Sequence, residues 1–176
     1  MTMPMERKYN LVNAIAELGF ECKSDTGIIR LADELFVLCA THGLQLAPSE
    51  YTKVLYYRER AYLNTRQYTE ALKDIFEWLE MRSKWKAGLL TVQDIFGTTW
   101  IVLMDAGRAY AGLGDTHMMM KMFCEAFDLV ADQSGPCGRL ARELGLILWH
   151  SGDHMALLRR IPNSGLRERI VKEMSW

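Results

Sequence analysis

Proline is scarce in this chain of 176 residues: Pro4, Pro48, Pro136 and Pro162 are the only four. Each falls at a break between patterned segments, where a residue without an amide hydrogen belongs, so long intervals remain open to uninterrupted helix. Alternating Val/Ile/Thr runs of the strand type are nearly absent as well. The cysteines, Cys22, Cys39, Cys124 and Cys137, form neither a CxxC pair nor the short spacing of a zinc site, and they read as free thiols. The longest apolar stretches, Leu35 to Ala40 and Trp100 to Met104, fall far short of the roughly 18 residues that a membrane span needs. Met1 to Asn10 carries Glu6, Arg7 and Lys8 and does not read as a secretory signal. A cytoplasmic or nuclear location is therefore expected. Charge of one sign is missing too: 21 Lys+Arg against 22 Asp+Glu leave a net charge of −1. No broad basic face offers itself to nucleic acid or to an anionic membrane, so recognition of a partner has to be local.

What the chain does have is apolar periodicity. With 49% hydrophobic and 24% charged residues it can build a core. Apolar residues recur at three- and four-residue spacing, as in Leu11, Ile15 and Leu18, then Ile28, Leu31, Leu35 and Leu38. The pattern predicts an all-α protein of stacked antiparallel helical hairpins. Helices are expected at about 7–19, 26–42, 50–65, 68–84, 92–112, 115–131, 138–150, 153–160 and 164–175. They read as one helical-repeat domain over 1–176. It comprises an N-terminal hairpin at 7–42, repeat-like hairpins at 50–84, 92–131 and 138–160, and a C-terminal helix at 164–176.

A repeat supports this order. Ala61-Tyr62 through Ala71-Leu72 aligns with Ala109-Tyr110 through Met119-Met120 around a turn of equal length. Gly107, Ala109, Tyr110, Leu113, Gly114 and Asp115, followed by Phe123 and Ala126, resemble the tetratricopeptide repeat, a hairpin of about 34 residues. In the earlier copy Ala61, Tyr62, Tyr68 and Ala71 match, but Glu59 stands where a small residue is usual. Leu144-Gly145 with Ser151-Gly152-Asp153 makes a weaker third copy. The resemblance implies a right-handed superhelix with a groove lined by the first helix of each hairpin. A generic helical bundle is the plainer alternative. Ala71 and Met119 lie 48 residues apart, which leaves a surplus around Ser83 to Thr98. That segment is too apolar for a free loop, and longer helices, packing across the stack or a subunit contact would each account for it.

No constellation reads as an active site. His150 and His154 have a metal-like spacing, but the Ser151-Gly152-Asp153 turn destroys the shared helix face it requires. His42 and His117 have helix-end roles available. Gly112-Leu113-Gly114 lacks the third glycine of a dinucleotide loop, and no phosphate loop or GxSxG turn occurs. No catalytic residue, metal or cofactor is expected. The methionines at 118–120 and Met122 read as core filling, with an adaptable binding surface as the other possibility.

In the repeat register the groove positions are Lys53, Tyr56, Arg60 and Asn64, then Met104 and Arg108, then Arg139 and Arg142. Paired guanidinium donors suit an acidic segment; alternatively the arginines pair with neighbouring acids such as Asp105 or Glu143. Within about 20–80, Gly27-Ile28-Ile29-Arg30-Leu31-Ala32-Asp33-Glu34-Leu35, then Pro48, Tyr51 and Val54-Leu55-Tyr56-Tyr57, are similar to the start of the tetratricopeptide subunits of the anaphase-promoting complex. Subunit seven is the most similar branch, and Ile161-Pro162 adds to the likeness. The resemblance implies a non-catalytic, homodimer-forming scaffold of a ubiquitin ligase acting in the cell cycle. Self-association would use Leu31, Leu35 and Phe36 with Trp85, Leu89 and Phe96. The alternative is a stand-alone adaptor or chaperone that holds an acidic peptide in its groove.

Overall fold

The computed structural model describes residues 3–21, 24–91 and 95–175. Its helices are α1 (Met3–Glu21), α2 (Asp25–His42), α3 (Pro48–Asn64), α4 (Tyr68–Lys86), α5 (Thr99–Gly112), α6 (Thr116–Asp128), α7 (Ser134–His150), α8 (His154–Arg160) and α9 (Ser164–Met174). No strand occurs among the described residues. The chain divides into two compact units, Met1–Thr98 and Thr99–Trp176.

Most helix ends carry a local chemical reason. Ser24 accepts from Gly27 N at 3.1 Å, and α2 stops at Gly43, which takes the left-handed φ of 60°. Ala47 has no side-chain oxygen to cap α3; its own amide donates to Glu50 Oε2 at 2.9 Å, and Pro48 opens the helix. Asp115 caps α6 at Met118 N and Asn163 caps α9 at Leu166 N. Two helices start earlier than their apolar pattern does: α1 at Met3 and α7 at Ser134. Pro4 and Pro136 thus sit inside first turns, where proline's missing hydrogen bond costs nothing. The helix expected from residue 92 needs the opposite correction. Residues 95–98 are not helical, α5 starts at Thr99, and 92–94 lie outside the described residues.

That non-helical stretch is fastened to the first unit. Phe96 N donates to Thr52 Oγ1 at 2.9 Å and its carbonyl accepts from Trp78 Nε1 at 2.7 Å, so both backbone groups of a half-buried residue are used. The Phe96 ring meets Tyr56 and Tyr57 at centroid distances of 5.5 and 5.4 Å. Among the alternatives for the surplus, the described part packs across α3 and α4.

The hairpin turns share one design. In α3–α4, Thr65 N donates to Ala61 O, Arg66 N to Leu63 O, Gln67 N to Tyr62 O and Ala71 N to Gln67 O. In α5–α6 the same four bonds run from Leu113, Gly114, Asp115 and Met119 to Ala109, Ala111, Tyr110 and Asp115. Arg66 and Gly114, the matched central residues, have φ of 61° and 78°. The α7–α8 turn repeats three of the four bonds, with Gly152 at φ 80°.

In the first unit α1, α2 and α3 pack on one another and α3 pairs with α4. Its core joins Leu11, Val12 and Ile15 to Ile28, Ala32, Leu35 and Leu38, then to Val54 and Ala61. In the second unit α5 pairs with α6, and α7 packs on α6, α8 and α9. Here missing side chains do the work. A Cβ on Gly107 would stand 2.5 Å from the fully buried Phe123 ring, and one on Gly145 would stand 2.6 Å from Met174 Cγ. The adjacent helices approach closely because those atoms are absent.

Candidate partner-binding surfaces

In the first unit the expected groove residues follow one face of α3, and three of them are engaged by aromatic rings. Lys53 Nζ lies 5.6 Å from the Phe96 centroid. Tyr56 is buried beneath Phe96, and Arg60 stacks over Tyr56 at 5.5 Å while donating to its hydroxyl at 3.2 Å. Asn64 reaches Asp25 Oδ1 on α2 at 3.1 Å. Phe96, assigned from sequence to self-association, and Tyr56, assigned to a groove, are therefore one aromatic cluster. The residual cleft beside Arg60 and Asn64 is only about 80 Å³, narrowed where Gly19 meets Tyr57.

Next to this face runs the strongest polar cluster of the unit. Arg58 donates to both oxygens of Asp74 at 2.7 Å and to Asp33 at 2.9 Å. Its guanidinium lies 4.6 Å from the Phe36 centroid and 5.7 Å from that of Tyr62. Burial alone would lower the Arg58 pKa, but the Asp74 carboxylate holds it above the ordinary value. Burial pushes Asp74 up, against the pull of Arg58. The cluster ties α2, α3 and α4 together. Tyr51 donates to Glu77; burial first, and then that acceptor, move the phenol above its usual range. Burial also raises Tyr62. Lys8 makes a similar tie, donating to Gln45 O at 3.2 Å and Glu50 at 2.8 Å, with only 8% of the residue exposed.

The remaining self-association candidates separate by exposure. Leu35 is fully buried and Leu31 is half-buried against the same core. Phe36 packs edge-on to Tyr51 at 5.9 Å. Trp85 is half-buried with the Arg82 guanidinium 3.5 Å from its ring, and burial lowers the Arg82 pKa. Leu89 stands 73% exposed.

In the second unit Met104 is core, at 4% exposure. Arg108 bonds Asp105 at 3.0 Å and Glu143 at 3.1 Å. Arg142 reaches Glu173 at 3.1 Å, and Glu173 is shared with Arg169 at 2.8 Å. Arg139 is exposed. Pairing with neighbouring acids, the plainer alternative for these cations, describes Arg108 and Arg142. Met119, Met120 and Met122 are buried and Met118 is half-buried. His150 contacts Leu146 O through Nδ1, and the His154 ring lies on Trp149 at 4.9 Å. No three His, Cys, Asp or Glu side chains gather as a metal-holding group among the described residues. Cys39 and Cys137 are buried and Cys124 half-buried, each thiol raised by burial, while Cys22 lies outside the described residues.

Two clefts of the second unit were not singled out from the sequence. One, about 480 Å³, lies at the turn end of α5–α8 between Met119, Leu146, Ile147 and Leu157. The other, about 580 Å³, is a shallow groove between α8 and α9 lined by Leu158, Arg159, Arg167, Glu168 and Val171. A signal for the second was available. Residues 154–175 hold five basic residues against two acidic ones, in a chain whose remainder holds sixteen against twenty. Whole-chain charge hides that segregation.

Compared with known protein families, curated proteins and solved structures, the chain matches none. No described helix is long and apolar enough to cross a membrane.

Proposed function

We propose that this protein is a non-catalytic, helical-repeat scaffold that binds other protein chains, including a second copy of itself. The recurrence of one turn geometry, at Arg66, Gly114 and Gly152, is the observation that carries the reading. Repeated hairpins lay side chains of successive helices along an extended surface, the arrangement that helical-repeat proteins use for binding. A right-handed, tetratricopeptide-like stack is the finer form of the proposal. Membership of a ubiquitin-ligase assembly is finer still, and rests on the resemblance over residues 20–80.

The self-contact is assigned to the end of α4 and the loop after it, where Leu89 is exposed beside Trp85. Light scattering on the purified chain at micromolar concentration should give a dimer mass, and Leu89→Glu should return it to the monomer. A monomeric mass for the unaltered chain, together with failure to bind any partner protein, overturns the proposal.

A further inference from the structure

We propose that the groove between α8 and α9 binds an acidic peptide that carries one aliphatic anchor residue. Its floor is apolar and recessed: Leu158 is 5% exposed and Val171 36%. Its rim is cationic. Arg167 turns Nη1 toward the carbonyls of Ile161 and Pro162, which fixes the guanidinium across the α8–α9 connection. No described residue bonds its Nε or Nη2. Arg159 is exposed and has no carboxylate within ion-pair distance among the described residues. That separates these two from Arg108, Arg142 and Arg169, which already hold Asp105, Glu143 or Glu173. Glu168 is the acid on the rim, and Glu173, the other acid of the segment, is taken by Arg142 and Arg169.

The chemistry of the groove selects among anionic partners. A guanidinium presents planar paired donors that match a carboxylate. Insertion into a lipid surface needs apolar side chains that project, whereas Leu158 sits below its cations. A single-stranded nucleic acid would use aromatic rings to stack its bases, and no aromatic residue lines this groove among the described residues. An acidic peptide with a leucine-like anchor satisfies both floor and rim. The inference rests on the protein-binding reading above and gives it a ligand class and a location away from the expected groove.

Fluorescence anisotropy with fluorescein-labelled Asp-Glu-Leu-Glu-Asp tests it on the full chain. Saturable binding is expected, with a dissociation constant on the order of 10 µM at low salt. Arg159→Glu should weaken it about tenfold, as should exchanging the peptide's leucine for alanine. Val171→Asp tests the floor independently and should act in the same direction, while Arg30→Glu on exposed α2 surface should leave binding unchanged. The inference is overturned by absent binding, by equal affinity for Lys-Lys-Leu-Lys-Lys, by an unaffected Arg159→Glu variant, or by tighter binding to oligothymidylate or phosphatidylserine vesicles. A chain that fails here but keeps its dimer mass leaves the scaffold proposal standing.

Discussion

Seven residues before the left-handed turn residue, the first unit has Glu59 at α3, whereas the second has Gly107 at α5 and Gly145 at α7. Glu59 is completely buried as a carboxylate-bearing side chain, while the glycines admit Phe123 and Met174 against the backbone. The turns match; the seals between helices do not. One unit leans on directional polar contacts around Arg58, Asp74, Lys8 and Glu50, the other on steric fit where a methyl group would collide. A shared turn therefore fixes how two helices meet without fixing what holds them.

The largest break in this contrast should come from the first unit's buried pair. Asp74→Ala leaves Arg58 without its main counter-charge and should cost about 3–5 kcal/mol by chemical denaturation. Replacing both, as Arg58→Met with Asp74→Leu, should recover most of that loss, because a well-packed apolar pair removes the desolvation cost as well as the attraction. If the single variant costs no more than a surface change, the polar seal is not what holds the unit.

Gly107→Val addresses the other seal. Its Cβ would enter the Phe123 ring, so a loss of about 1–3 kcal/mol is expected, relieved in part by Phe123→Leu. Hydrogen exchange should place that loss in α5 and α6; an equal loss across α1–α4 would contradict the separation of the two units.

The smallest effect is a response to alkali. Tyr51 and Tyr62 both have pKa values raised above 10.0 in the folded first unit. Above pH 10 the unfolded phenols lose protons that the folded ones keep, so stability falls as pH rises through that range. Tyr51→Phe should flatten the decline, measured as the melting temperature from pH 9 to 11. An unchanged slope in that variant would assign the alkaline response to other groups.

Much of the fold was legible because helical periodicity and caps are local. Leu11, Ile15 and Leu18 announce a buried stripe, and the equal spacing around Arg66 and Gly114 announces a common turn. The stretch before Thr99 was not legible, because Ile95 and Phe96 are apolar at a spacing that helices also use. Their placement is decided by Thr52 and Trp78, dozens of residues and roughly twenty residues away respectively. The groove positions show the same limit. Register can name Arg108 and Arg142 as candidates, yet which acid each cation meets depends on Glu143 and Glu173 from other turns and helices. The α8–α9 rim escaped for a different reason: a total charge near zero averages a basic C-terminal segment against an acidic remainder.

The three hairpin turns are written in main-chain atoms. Thr65-Arg66-Gln67, Leu113-Gly114-Asp115 and Ser151-Gly152-Asp153 close through amides and carbonyls that nearly every residue supplies, and only the central dihedral narrows the choice. Letters at these places are consequently cheap to exchange. Kinship among the hairpins survives as a pattern of angles after most of the spelling has drifted.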